Sequence, residues 1–212
     1  MKGWPADGGT APVGAAALLS GRWHGSLDAV TDSERRALRP IGADTAHDVA
    51  AATGGLLAGL LAHPGVQVFQ GVRPGPADAP CIPHVISCGC RLVLAESVAW
   101  PPGRYTASAD GQIHCEGVYI GQSVRPLLAA AGHWRVALPA GHRVSAVVIV
   151  HLTAPGALAL PAAIPGLSWT TADDAVDSIR VQLPAGPEAA SMTAVATLIA
   201  AIRHTSRPQG AA

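Results

Sequence analysis

Apolar residues recur every three or four positions over residues 44–61, the spacing of one face of an α-helix. Those positions are Val49, Ala52, Leu56, Leu57, Leu60 and Leu61. Asp44 is the predicted N-cap, and a His-Pro-Gly sequence from His63 ends the helix. The segment also holds three glycines, each of which costs about 1 kcal/mol relative to alanine. We therefore expect this helix to depend on tertiary packing, or to use glycine for close approach to a sheet.

Shorter apolar runs farther along the chain predict β-strands. These strands cover residues 66–72, 82–87, 91–97, 105–108, 112–119 and 144–152. The second and third form a β-hairpin around a Cys-Gly turn. Within it, alternation places Leu92, Leu94, Glu96 and Val98 on one face. The last strand is an apolar run of the kind that is buried on both faces of a sheet.

Three further helices are predicted. One opens after Ser123, its predicted cap, with Pro126 tolerated in the first turn. Another has Thr171 as its cap, and the last spans residues 188–203. The whole pattern predicts an α/β fold with a central mixed β-sheet flanked by helices.

Length and composition fit one globular domain with appended segments. The chain has 212 residues, enough to bury a core, and its 13% of charged residues exclude a polyelectrolyte tail. The formal net charge is zero, whereas an obligate nucleic-acid binder usually has a basic excess. Residues 1–40 show no sustained periodicity and are predicted to form a flexible arm with at most one short helix.

No segment reaches the roughly 18 consecutive apolar residues of a membrane helix. The nearest candidate, residues 145–164, is broken by His151, Pro155, Gly156 and Pro161. The first residues do not form a convincing signal peptide. We therefore expect a cytoplasmic protein without a membrane partner, whose four cysteines are reduced thiols.

The hairpin carries a recognisable pattern. Its first strand contains Ile82-Pro83-His84-Val85-Ile86, and its second contains Leu94-Ala95-Glu96-Ser97-Val98-Ala99-Trp100 and is followed by Gly103. This layout resembles the hairpin of the nuclease-related domain (NERD) family, which has the restriction-endonuclease-like PD-(D/E)XK fold. The resemblance covers about two thirds of the chain. It implies a NERD-like domain over residues 41–184, followed by a C-terminal helix and tail over residues 185–212.

The resemblance implies a nuclease centre from which key groups are missing. Pro83 stands where the family has a metal-binding Asp, and Val98 stands where it has a Lys, whereas Glu96 and His84 remain. A metal-dependent nuclease needs at least two carboxylates around a divalent ion and a cation that steadies the developing charge. One glutamate does not meet that requirement, so the resemblance implies a degenerate site.

Other residues are candidates for the same site. By spacing, Asp48 is the counterpart of a family Glu on the first helix, although an exposed first-turn carboxylate explains it as well. Gln122 falls near a glutamine of the family's site, or is an ordinary solvent-facing residue. Asp78 lies in a Pro-flanked loop, where it is a turn former or a displaced carboxylate. Arg104 is the nearest cation for a phosphate.

The cysteines suggest a second kind of site. Soft ligands occur close together at Cys81, His84, Cys88, Cys90 and Cys115. Their spacing is not a recognised zinc pattern, and small buried thiols are the alternative explanation. We keep zinc as a hypothesis that metal analysis would test.

These observations favour a NERD-like, catalytically inactive module that binds or scaffolds nucleic acid or a protein partner and needs no cofactor. The vestigial site would hold Glu96, His84, Asp48 and Gln122. The alternative is a divergent nuclease or phosphodiesterase that binds Mg²⁺ or Mn²⁺. Its metal ligands would be Glu96, Asp48 and Asp78, with Arg104 holding the phosphate.

Overall fold

The computed structural model describes residues 21–28, 30, 38–75, 81–186 and 188–205. Its strands are β1 (Trp23–Gly25), β2 (Gln67–Val72), β3 (Ile82–Cys88), β4 (Arg91–Trp100), β5 (Gly103–Ala107), β6 (Gln112–Cys115), β7 (Val118–Ser123), β8 (Arg143–Leu152), β9 (Leu158–Ala159) and β10 (Leu167–Thr171). Its α-helices are α1 (Ala46–Leu57), α2 (Arg125–Ala137), α3 (Ala175–Arg180) and α4 (Met192–Thr205).

A six-stranded mixed sheet forms the centre, in the order β1-β2-β3-β4-β8-β10. Strands β2, β3 and β4 are antiparallel neighbours, whereas β8 pairs in parallel with both β4 and β10. Strand β8 is central because residues 146–150 are all buried and apolar. The predicted α/β fold with a central mixed sheet flanked by helices is confirmed.

The sheet has two buried faces, and alternation along β4 separates them. Leu92, Leu94, Val98 and Trp100 pack with α2 and α4 on what we call the first face. Val93 and Ala95 pack on the opposite, second face in the same cluster as Leu57 of α1 and Ala175 and Ile179 of α3. Even-numbered residues of β4 therefore pack against α2 and α4, and odd-numbered residues pack against α1 and α3.

Helix α1 begins one residue later than predicted. Thr45, not Asp44, is its N-cap, because the Thr45 hydroxyl accepts a hydrogen bond from the Asp48 N–H at 3.1 Å. The Asp48 carboxylate accepts from the Thr45 N–H at 3.1 Å, which completes a capping box. A 3₁₀ turn over Ala58–Ala62 continues the helix to the predicted stop.

A smaller sheet, in the order β7-β6-β5-β9, extends beside the large one. The single strand predicted over residues 112–119 is two strands, because Glu116 (φ 50°) and Gly117 (φ 80°) form a tight turn with both φ angles positive. Ser123 was predicted to cap a helix, but it ends β7, and Val124 is the N-cap residue of α2. Pro126 does lie in the first turn of that helix.

The region predicted as a flexible arm contributes to the core where the structure describes it. Trp23 of β1 is 6% exposed, and Leu38 is 3% exposed within the first-face cluster. At the other end of the chain, α4 begins at Met192, four residues later than predicted. None of the helices in the described ranges combines the length and apolar character needed to cross a bilayer.

Candidate functional site

Glu96 lies on the first face, in the middle of β4. The β3–β4 register pairs His84 with Ala95, and continuing it by one residue brings Pro83 opposite Glu96. Val98 follows two residues later on the same face. The three positions that carry the family resemblance are therefore neighbours, but only Glu96 has an ionisable side chain. Glu96 is 6% exposed and accepts a hydrogen bond from the Ser97 N–H at 3.2 Å.

Gln122 also reaches the first face. Its Oε1 accepts a hydrogen bond from Trp100 Nε1 at 3.2 Å, and its Nε2 donates to the Arg39 carbonyl at 2.9 Å. Gln122 is 3% exposed, so the alternative that it is a solvent-facing residue is wrong. Its amide joins β4, β7 and the segment before α1 next to the stacked rings of Trp100 and Tyr105.

His84 lies on the second face and is thus separated from Glu96 by the sheet. Being paired with Ala95, it points toward α1, where Gly54 permits close approach. Its Nε2 lies 3.3 Å from Gln70 Nε2, and its buried Nδ1 has no hydrogen-bond partner among the described residues. Complete burial lowers the pKa of His84 to about 3, so the ring is neutral. The prediction that His84 and Glu96 share a site is wrong.

Asp48 and Arg104 do not converge on Glu96 either. Asp48 is exposed on α1, on the second-face side, and its hydrogen bonds with Thr45 lower the pKa of its carboxyl. Arg104 is exposed on β5, while its neighbour Tyr105 turns inward onto Trp100. The third proposed metal ligand, Asp78, lies outside the described residues.

The cysteines are dispersed. Cys81 packs near the start of α1, and Cys88 is buried with its Sγ 3.4 Å from the Glu188 carbonyl and 3.9 Å from His63 Nδ1. Cys90 is exposed and Cys115 is half-buried, and both are thiols, as is Cys88. Burial, with a smaller contribution from Glu188, raises the pKa of Cys88. Among the described residues, no three histidine, cysteine or acidic side chains come together as a metal site would require.

The second face holds a hydrogen-bonded chain that the sequence did not reveal. Ser97 Oγ donates to Thr53 Oγ1 at 2.8 Å, and Thr53 Oγ1 lies 2.7 Å from His151 Nε2. These residues come from β4, α1 and β8, up to 98 positions apart. The only local sign is a polar Thr beside two glycines in an otherwise apolar helix.

His151 lies near the carboxyl ends of the parallel strands β4, β8 and β10. Open α/β sheets commonly bind ligands at such an edge. Burial lowers the pKa of His151, while the nearby Asp44 and Asp173 oppose that shift. Thr53 and Ser97 are 0% and 1% exposed, so neither hydroxyl is available as a nucleophile for an outside substrate.

Comparisons with protein-family models, with curated proteins and with solved structures found no significant match. The function of the protein is therefore inferred from its own residues.

Proposed function

We propose that the protein is a non-catalytic binding or scaffolding module, a pseudoenzyme whose fold is similar to the NERD branch of restriction-endonuclease-like domains. What supports the similarity is the order of elements: α1, β2, the β3–β4 hairpin, the small meander, α2 and then β8 parallel to β4. The hairpin pattern that carries the resemblance lies at the centre of this arrangement.

The observation that carries the proposal is the composition of the first face around Glu96. The cross-strand position is Pro83 and the next same-face position on β4 is Val98, which is 0% exposed. A proline offers no side-chain ligand and a valine offers no charge. These two positions supply no second carboxylate beside Glu96, and a metal-dependent nuclease needs at least two around the ion that activates water. Asp48, one of the ligands that the nuclease alternative needs, is on the other side of the sheet.

The proposed partner is a protein or a nucleic acid, met in the cytoplasm, where the four cysteines would remain thiols. The zero formal net charge favours a protein. Fluorescence anisotropy with labelled DNA and RNA at low salt distinguishes the two: binding that weakens steeply with salt would identify nucleic acid.

The decisive test is calorimetric titration of the purified protein with Mg²⁺ and Mn²⁺, run beside DNA and RNA cleavage assays. Glu96→Gln is the control, because it keeps the side-chain size and removes the charge. We expect no carboxylate-dependent metal binding and no cleavage. Metal binding and cleavage that both disappear in Glu96→Gln would overturn the proposal and establish a working nuclease.

A gain-of-function variant tests the register behind the resemblance. Pro83→Asp combined with Val98→Lys restores the two missing groups beside Glu96. Metal-dependent cleavage by this variant would support a nuclease-related origin. A folded but inert variant would count against the register. Pro83→Asn with Val98→Met is the matched control, because it has similar side-chain volumes without the charges.

A further inference from the structure

Helix α1 lies directly over two histidines of the second face. Gly54 is the point of closest approach: a Cβ there would lie 3.2 Å from His84 Nε2 and 3.3 Å from Gln70 Nε2. One residue earlier, Thr53 makes its contact with His151. Successive residues of one helix thus cover His84 on β3 and His151 on β8.

His84 is held in a place that suits only the neutral ring. The Gln70 amide N–H donates to Nε2, so the imidazole proton is on Nδ1, where none of the described residues offers an acceptor. A second proton, on Nε2, would place this N–H of His84 against the amide N–H of Gln70. Two hydrogen-bond donors would then face each other in a fully buried position. Burial alone accounts for the low pKa of His84.

His151 meets α1 through the hydroxyl chain. Thr53 Oγ1, which accepts from Ser97, lies 2.7 Å from His151 Nε2, and a hydroxyl can donate to the neutral ring or accept from the protonated one. Burial, rather than this contact, disfavours the proton on His151. The charged groups that act on it are Asp44, before α1, and Asp173, after β10, and both favour the proton.

We propose that α1 is an acid-sensitive cover, which detaches from the sheet when His84 and His151 take up protons. Detachment exposes a polar row of four residues across the second face: Gln70, His84, Ser97 and His151. This role is independent of the proposed binding function, because it involves the opposite face from Glu96.

Proton linkage sets the size of the effect. A histidine that binds a proton only in the open state raises the opening constant about tenfold per pH unit below its ordinary pKa of about 6.5. His84 gives this factor between pH 6.5 and its folded-state pKa of about 3, and His151 adds to it, because burial lowers its pKa as well. Asp48, whose pKa is already lowered by its capping box, titrates below this range.

Hydrogen exchange of the full chain between pH 6.2 and pH 5.0 tests the proposal. The readout is the protection factor of α1 amides, corrected for the intrinsic pH dependence of exchange and compared with amides of β8. We expect the logarithm of α1 protection to fall with decreasing pH, with a slope between one and two per pH unit in wild type. The expected slope is near one in His151→Gln, between zero and one in His84→Gln, and near zero in the double variant. His47→Gln, at an exposed position of α1, should match wild type.

Thr53→Val supplies a test that leaves both histidines in place. Removing the hydroxyl leaves both histidines buried, so the slope should stay at the wild-type value. An α1 protection that does not change with pH in wild type would overturn the proposal. So would a wild-type slope that persists in the double histidine variant, since other groups would then be taking up the protons.

Discussion

At the scale of single residues, the Gln122 amide satisfies two groups in a buried place. It accepts from Trp100 Nε1 and donates to the Arg39 carbonyl, and it is 3% exposed. We expect Gln122→Ala to lower the free energy of unfolding by about 1–3 kcal/mol, because it leaves the buried indole N–H without its acceptor. Urea denaturation followed by tryptophan fluorescence measures the loss.

Gln112 provides the comparison for this substitution. It lies on the adjacent strand β6 and is only half-buried. Gln112→Ala should change stability by no more than about 0.5 kcal/mol. Equal losses at the two positions would show that the hydrogen bonds of Gln122 are not what stabilises this corner of the molecule.

Two adjacent glycines of α1 should respond oppositely to alanine. Around Gly55 no atom of a described residue lies within 4 Å of an added Cβ, so Gly55→Ala should stabilise the protein by about 0.5–1 kcal/mol through helix propensity. At Gly54 the Cβ meets the buried His84–Gln70 pair at 3.2 and 3.3 Å, and neither side chain has room to move aside. We expect Gly54→Ala to lower the melting temperature. If both substitutions stabilised the protein equally, α1 would not pack closely against His84 and Gln70.

At the scale of elements, the start of α1 offers a test of its cap. Thr45→Ala should cost about 1 kcal/mol, because the hydroxyl that accepts the Asp48 N–H is lost. Asp48→Asn should weaken the capping box at pH 7, and its effect should disappear at low pH. The reason is that the lowered pKa of Asp48 gives stability that is present above about 3.8 and lost as pH falls through the folded-state value.

Asp44 is the control for the cap of α1, because the sequence predicts it as the N-cap, whereas the structure has Thr45 in that role. Asp44→Asn should leave stability at pH 7.5 unchanged within about 0.5 kcal/mol. Thermal denaturation of the three variants under one set of conditions decides between the two caps. A larger loss in Asp44→Asn than in Thr45→Ala would favour the cap predicted from the sequence.

The elements also show which features can be predicted from sequence. Alternation in β4 correctly separated Leu94, Glu96 and Val98 from their neighbours, because side-chain period is a local property. The turn at Glu116 was missed, since a glutamate rarely adopts a positive φ. Here the Glu116 carboxylate also accepts the Arg104 N–H at 2.7 Å, a contact that depends on tertiary structure.

The site was also predictable only in part, because strand alternation is a local property, whereas strand register and pairing are not. The neighbourhood of Glu96 followed from strand pattern, but the separation of His84 required the β3–β4 register, in which His84 faces Ala95 rather than Glu96. The Thr53–His151 contact joins residues 98 positions apart through the parallel pairing of β4 with β8. No local pattern encodes that pairing.

At the scale of the whole molecule, the six-stranded sheet divides the polar groups between two layers. The first face holds Glu96 and Gln122 in apolar surroundings beneath α2 and α4. The second face holds His84 and the Ser97–Thr53–His151 chain beneath α1. Ser97 joins the two layers, because its N–H donates to Glu96 and its hydroxyl donates to Thr53. Substitutions at Ser97 should therefore affect both faces, since additivity fails for residues that share a hydrogen-bond partner.

Global unfolding exposes the same histidines as the opening of α1, so total stability should be sensitive to acid. In the folded state burial holds the pKa of His84 at about 3, whereas in the unfolded chain it is about 6.5. Between these values the unfolded state binds one more proton, so the free energy of unfolding falls as pH decreases, by about 1.4 kcal/mol per pH unit. Above pH 6.5 the contribution of His84 to the free energy of unfolding is complete and constant.

Urea denaturation of wild type and His84→Gln at pH 7.5, 6.5, 5.5 and 4.5 isolates this contribution, because every other titrating group is common to both chains. Below pH 6.5, the slope of the free energy of unfolding against pH should differ between the two chains by about 1.4 kcal/mol per pH unit, the effect of one proton. Parallel curves would mean that folded His84 binds its proton as readily as the unfolded chain does.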